Sequence, residues 1–215
     1  MKRALHLAAT VVALALVVLV AFEAFAVWRA YERTPDVLRR AAQGELALAD
    51  LSPKRRSMLL KVEDPSFYRH NGYDASTPGQ GRTNLTQSLV KRFYFDHFQP
   101  GFPKIEQSLI ARFVFGPALS KDGQLRAFLN HASFGTSKGR QVIGFADAAR
   151  TYYGREFADL DDRQFLGLVA MLMAPNRLDP VRHPKENAER VRRIEALLAG
   201  RCAPTGVADV SYNAC

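Results

Sequence analysis

Alternating polar and apolar residues are scarce in this chain, and it has one tryptophan and two cysteines. Without that alternation there is little material for a β-sandwich or barrel. No internal repeat is present, which excludes a solenoid or propeller. No low-complexity tract occurs, and 47% hydrophobic against 24% charged residues excludes wholesale disorder. The two cysteines, Cys202 and Cys215, have no histidine near them in sequence, so they make a poor metal site. Acidic residues are also in deficit: 21 against 30 Lys and Arg, a formal charge of +9. That excess suits an anionic partner, which by charge alone is nucleic acid, an acidic membrane surface or a phosphorylated substrate.

The N-terminus narrows the choice. Lys2 and Arg3 precede the apolar run Ala4–Phe22, broken only by His6 and Thr10, and apolar character resumes from Ala24 to Trp28. A bilayer core of ~30 Å needs about 20 helical residues, so the run is long enough to span. The basic leader places the N-terminus in the cytoplasm and Trp28 at the far interface, with Glu23 near enough to that interface to snorkel toward headgroups. Ala24-Phe25-Ala26 also fits a cleavage site, but a signal sequence carries about 7–15 apolar residues, which favours an uncleaved anchor. In both cases the remainder is exported: nucleic acid is not expected as a partner, and the cysteines read as a disulfide closing a terminal loop.

Four regions follow: an anchor over 1–30, a juxtamembrane connector over 31–51, a helical domain over 52–200 and a tail over 201–215 joined by Cys202–Cys215. Thr34-Pro35-Asp36 reads as a helix start, and Ser52-Pro53 as an N-cap followed by a first-turn proline. Residues 65–81 are rich in Gly, Pro and Ser and read as a mobile loop. Apolar residues then recur at helical spacing: Leu85, Leu89, Val90 and Phe93; Leu109, Ile110 and Phe113; Leu125, Phe128 and Leu129; and Val142, Phe145, Ala146, Ala149 and Tyr153. Phe165–Met173 and the amphipathic run Ala188–Leu198 complete an all-α pattern.

The most informative segment runs from Glu63 to Asp74, Glu-Asp-Pro-Ser-Phe-Tyr-Arg-His-Asn-Gly-Tyr-Asp. It sets an acidic pair at a helix end beside an aromatic, a histidine and a glycine turn. A carboxylate walled by apolar groups can have a raised pKa and serve as a base, although an isolated Glu-Asp is usually a solvated surface pair. This segment resembles the first signature of glycosyltransferase family 51, the peptidoglycan glycosyltransferases: Glu-Asp-x-x-Phe-x-x-His-x-Gly, matched at Glu63, Asp64, Phe67, His70 and Gly72. The second signature is similar to Gly81-Arg82-Thr83-Asn84-Leu85-Thr86-Gln87-Ser88, with Lys91 at the family's spacing. The third, Arg-Lys-x-x-Glu, aligns on Lys104 and puts Gln107 where a second catalytic glutamate stands, with Glu106 beside it. Ser120-Lys121-Asp122, Leu129-Asn130, Phe134-Gly135, residues 148–154 and residues 174–180 follow in family order, with Arg126 in place of a usual glutamate. The resemblance covers about residues 52–198.

The resemblance implies a lysozyme-like helical domain behind one transmembrane helix, on the periplasmic side of a bacterial inner membrane. It implies polymerisation of lipid II onto an undecaprenyl-pyrophosphate-linked glycan, with Glu63 as base toward the acceptor 4-hydroxyl and Glu106 as the nearest replacement for the second glutamate. Substrate contacts carried over are Asp64, His70, Thr86, Gln87, Lys91, Lys104, Gln107 and Asn130, with Arg82 as an extra cation. A divalent cation, Mg or Mn, would assist the pyrophosphate, and no organic cofactor is implied. Other cell-wall synthesis proteins are expected as partners.

Each residue also has a plainer role: Lys91 on a wet helix face, His70 bonding a backbone carbonyl, Asn130 bracing a turn, Ser120 capping a helix. Phe93, Tyr94, Phe95 and Phe98 fit a core or a membrane-facing surface, and Phe98–Phe102 fits a turn that dips into the bilayer. Only six residues separate Asp74 from Gly81, where family members carry a longer segment of a small jaw lobe over the cleft. That shortening, Gln107 and Arg126 favour a second reading, a non-catalytic relative that binds the lipid-linked precursor or braces a cell-wall machine. A glycan hydrolase would need a second acid across the cleft, and none is well placed in the sequence.

Overall fold

The computed structural model describes residues 2–99 and 101–215. Pro100, in the turn expected to meet the bilayer, lies outside them. The chain opens with α1, Lys2–Ala41, a helix of 40 residues. At 1.5 Å per residue it measures about 60 Å, twice a bilayer core, so its C-terminal half continues into the domain. The expected helix start at Thr34-Pro35-Asp36 is therefore corrected, because Pro35 lies inside α1. A proline there forfeits a backbone bond at a cost of ~3 kcal/mol. Tertiary contacts offset it. Ala30, Thr34, Val37 and Ala41 form one buried stripe, Thr34 Oγ1 bonds Ala30 O and Tyr94 Oη at 2.8 Å each, and Arg40 donates to Phe93 O at 2.9 Å. Glu23 does not reach outward either; it is buried, both carboxylate oxygens lacking a partner among the described residues.

Residues 42–51 then lie against α6 (Lys121–His131). Arg126 donates to Ala42 O at 2.7 Å, and Arg150 grips Glu45 with two bonds of 2.8 Å. Helix α2 (Pro53–Glu63) starts as expected, with Ser52 Oγ accepting from Arg55 N. Helix α3 (Leu85–Tyr94) is capped reciprocally by Asn84 and Gln87. Helix α4 (Phe102–Ile110) runs through a π-helical turn, Ala111–Phe115, into α5 (Gly116–Ala118). Phe113 on that turn is 63% exposed rather than a core residue, as are Phe102 and Ile105 on α4 at 66% and 45%.

The mostly helical expectation holds, with one addition. Strands β1 (Ser133–Ser137) and β2 (Arg140–Ile143) form an antiparallel hairpin turned by Lys138 and Gly139, both at positive φ. Val142 therefore belongs to a strand, and the helix read from it, α7, spans Phe145–Tyr153. Helix α8 (Asp162–Met171) is buried from Phe165 to Met171 and packs against α2, α7 and α9 (Pro184–Leu198). Phe145 centres the core, its ring 4.9–6.4 Å from those of Phe128, Phe134, Phe157 and Phe165. The tail folds back over α9, closed by the expected Cys202–Cys215 disulfide.

Candidate active site

Glu63 ends α2, and the residue after it anchors the whole first motif. Asp64 is fully buried and accepts four times: from His70 Nε2 at 3.0 and 3.1 Å, Gln80 Nε2 at 3.1 Å, and the Leu85 backbone N at 3.0 Å. The last of these puts a carboxylate on the N-terminus of α3, where the helix dipole favours it. His70 Nδ1 accepts from Gly72 N at 3.0 Å, which leaves the proton on Nε2 facing Asp64. Gly72 sits at φ +104°, and a Cβ there would lie 2.0 Å from Ala111 O. The π-helical turn brings that carbonyl in, so the motif's glycine is a packing requirement.

The loop over 65–81 is pinned by hydrogen bonds. Asp74 accepts from Ser66, Ser76 and Thr77. Burial works to raise its pKa, and those hydrogen bonds outweigh it and hold the group below the usual carboxylate range. Gln80 bridges Ser66 Oγ at 3.0 Å to Asp64.

No hydrogen bond reaches the Glu63 carboxylate from the described residues. It is partly buried in the wall of a cleft of about 870 Å³, lined also by Arg82, Lys91, Arg92, His131 and Arg190. Burial drives its pKa up to about 7; the Arg190 guanidinium pulls it down and Asp64 pushes it up. Arg190, on α9, is itself buried and carries two nitrogens without partners among the described residues. A smaller hollow of about 510 Å³ shares Gly81 and Arg82 with the cleft and adds Tyr73, Lys104 and Ser108. Burial, followed by repulsion from Lys91, brings the Lys104 pKa down to about 8. Arg82 and Lys91 thus line the cleft with Glu63, and Lys104 lines the hollow next to it.

Other carried-over residues turn out to be committed to structure. The Thr86 hydroxyl donates to Gln124 Oε1 at 2.7 Å in the core. Gln87 closes the α3 capping box and donates to Ser108 Oγ at 2.9 Å. Asn130 brackets Leu46, accepting from its N and donating to its O at 2.9 Å each, and also donates to Arg126 O at 3.0 Å. Its polar atoms are used, so the plainer bracing role replaces the substrate contact. Gln107 is fully buried between helices, donating to Gln87 O at 2.7 Å and accepting from Lys104 Nζ at 2.8 Å. Glu106 lines neither hollow. Burial and the Glu23 carboxylate raise its pKa, and Arg29 and Arg33 of α1 oppose that rise. Its charged neighbours stand on α1, so its placement lends no support to the expectation that it replaces the second glutamate.

The donor set also bears on a divalent cation. Such an ion needs convergent anionic oxygens. At the third motif the side chain is a neutral amide whose oxygen already holds an ammonium, and no three His, Cys, Asp or Glu residues converge among the described residues. These residues do not fit the ion.

Three residues of the site, Gln80, Arg190 and Tyr212, were not singled out in the sequence, and a fourth, Lys121, was quoted there only as part of the Ser-Lys-Asp run. Lys121 lies 4.4 Å over the Phe67 ring and 3.5 Å from His70 Nδ1. Burial brings its pKa to about 8, against the pull of Asp64. Its Ser-Lys-Asp context was a usable signal. Arg190 and Tyr212 carried none, since only the fold brings them to Glu63.

The transglycosylase family profile covers residues 33–199. Penicillin-binding protein 1F of Bacillus subtilis is 28% identical over 158 residues, 67% of this chain and 21% of that protein. Penicillin-binding protein 1B of Vibrio cholerae is 30% identical over 145 residues, 61% and 18%. A Cupriavidus necator protein whose name carries the word transglycosylase is 25% identical over 173 residues, 75% and 69%. The chain spans about a fifth of the length of the penicillin-binding proteins it matches. With the profile spanning most of its length and the first motif folded around Asp64, the chain belongs to the transglycosylase family, the peptidoglycan glycosyltransferases of family 51.

Proposed function

We propose that this protein extends peptidoglycan glycan strands from lipid II at the outer face of a bacterial inner membrane, with Glu63 as the general base. The observation that carries the reading is the Glu63 carboxylate: without a hydrogen-bond partner among the described residues, partly buried, and with a pKa raised to about 7 in the wall of a cleft rich in cations. A base titrating near neutral pH matches the task of taking a proton from a sugar hydroxyl. In the reaction, the 4-hydroxyl oxygen of the incoming sugar bonds to C1 of the donor sugar as its proton passes to Glu63. The C1–O bond to pyrophosphate breaks, and the electron pair leaves with the phosphate. Arg82, Lys91 and Lys104 are the groups placed to meet that developing charge.

The membrane setting fits the exposed apolar side chains. Phe102, Ile105 and Phe113 are uncovered on α4 and the turn after it, which pack against α1, and α1 is long and apolar enough to cross a membrane. Purified protein in detergent, given lipid II, should release polymeric glycan. Glu63→Gln should lower the rate by 10²-fold or more while precursor binding persists.

The neutral, buried Gln107, bonded to Gln87 O and Lys104, favours a second reading, a precursor-binding relative without turnover. Equal cellular complementation by wild type and Glu63→Gln would support that reading over the first.

A further inference from the structure

The tail over 201–215 packs against the loop that carries Gln80. Its backbone carbonyls at Gly206 and Val207 accept from Gly79 N at 3.0 Å and Gly81 N at 2.8 Å. Those bonds flank Gln80, which holds Asp64. Both glycines have positive φ, and a Cβ would come within 2.8 Å of Pro204 at position 79 and 2.9 Å of Val210 at position 81. The short loop after Asp74 is therefore shaped to receive the tail, and Ala208 and Val210 line the Glu63 cleft. The tail in turn is organised around Asp209, which accepts from Thr205 N, Thr205 Oγ1 and Tyr212 N at 3.0–3.1 Å. Arg193 of α9 ties it down through Asn213 Oδ1 at 2.6 Å.

Tyr212 is the point of contact with the site. It is 1% exposed and held at φ +51°, a conformation that a bulky residue seldom adopts without compensation. Its hydroxyl donates to Val62 O at 3.0 Å. That carbonyl lies in the last turn of α2, where no intrahelical donor is available, one residue before Glu63. Its ring lies 4.4 Å from the Arg190 guanidinium, the cation that faces Glu63.

We propose that the Cys202–Cys215 tail is a built wall of the Glu63 cleft and that Tyr212 is the positioning residue through which it sets Glu63 and Arg190. The proposal rests on the glycosyltransferase reading for its kinetic consequences but not for its structural ones. The tail lies against the short loop through the bonds at Gly79 and Gly81. Because the disulfide closes it, the geometry around Glu63 depends on the oxidation of two residues that touch no substrate. The groups facing Glu63 are Asp64 beside it, Arg190 from α9 and Tyr212 from the tail; Arg82, Lys91, Arg92, Asp96 and His131 line the other walls.

The test uses the full chain in detergent micelles: wild type, Tyr212→Phe, Arg190→Met, Arg190→Lys and the double variant C202S/C215S. Tyr212→Phe keeps the stacked ring and removes the hydroxyl, which bonds Val62 O and also reaches the Arg190 side chain. It is expected to lower kcat about tenfold with KM within twofold. Arg190→Met should move the rising limb of the pH–rate profile to higher pH, and Arg190→Lys should restore it. Two readouts need no activity. A carbon NMR titration of Glu63 should shift upward in Arg190→Met, and amide exchange at Gly79 and Gly81 should quicken at least tenfold in C202S/C215S while α8 stays protected. If wild type makes no glycan, the function reading falls while the titration and exchange still decide the tail's role. Unchanged kcat and pH profile in Tyr212→Phe and Arg190→Met would overturn the proposal, and so would unchanged protection of Gly79 and Gly81 without the disulfide. Should C202S/C215S fail to fold, Tyr212→Phe and Arg190→Met carry the decision.

Discussion

A carboxylate kept in a poor solvent for charge leaves a signature in stability as well as in rate, and Glu63→Gln exposes it. Its pKa in the folded chain stands near 7 against 4.5 for an unburied glutamate. Below pH 4.5 the group is protonated folded and unfolded, so it contributes no pH dependence. Between 4.5 and 7 the folded chain holds a proton that the unfolded chain has released, and stability falls as pH rises. Above 7 both forms are ionised, and the folded state bears the full desolvation cost. The interval from 4.5 to about 7, at about 1.36 kcal/mol per decade, gives about 3 kcal/mol as the upper limit. Glu63→Gln keeps the shape and removes the charge. Denaturant unfolding of both proteins from pH 4 to pH 8.5 should therefore show near-equal stability at the acid end. The variant should gain on the wild type through the window and lead by up to about 3 kcal/mol above pH 7.5. A difference independent of pH would refute the reasoning, because it would mean that Glu63 ionises as freely in the fold as in water.

Other outcomes follow from the same contacts. Asn130→Ala strips the bracket from Leu46 and should cost about 2–3 kcal/mol in denaturant unfolding, with KM for the precursor unchanged. Gly72→Ala meets both a positive φ and the Ala111 carbonyl; a loss of ~2 kcal/mol or more is expected in the same measurement. Lys121→Met removes a group whose pKa is lowered to about 8 by burial. The unfolded chain binds the extra proton between pH 8 and the ordinary lysine range, so wild-type stability should rise across that window relative to the variant. Parallel pH–stability curves would count against the placement of Lys121.

Local chemistry was legible where local interactions decide. Ser52 and Ser120 cap α2 and α6 as their sequence contexts predict. Glu63, Asp64, His70 and Gly72 fold into one constellation because their spacing spans a helix end and a turn. Long-range contacts were not legible. Pro35 reads as a boundary, yet packing of Thr34 and Arg40 on α3 carries α1 through it. Thr86, Gln87 and Asn130 look like ligand groups in one dimension, and only the fold shows their polar atoms already used. Glu106 and Gln107 are neighbours, but helical geometry sends one toward α1 and the other toward α3. The two-residue turn at Lys138–Gly139 was a readable hairpin signal, masked by apolar residues that also fit a helix.

A Glu63 that serves as the base of a glycosyl transfer must control the rate through its own titration. The most direct measurement is the pH dependence of kcat/KM for glycan polymerisation from lipid II by the full chain. The rate should rise with one limb whose midpoint lies near 7, and Glu63→Gln should lie at least about 10²-fold below it with that limb gone. Wild-type rates in Glu63→Gln, or a limb centred near 4.5 that survives the substitution, would contradict the account.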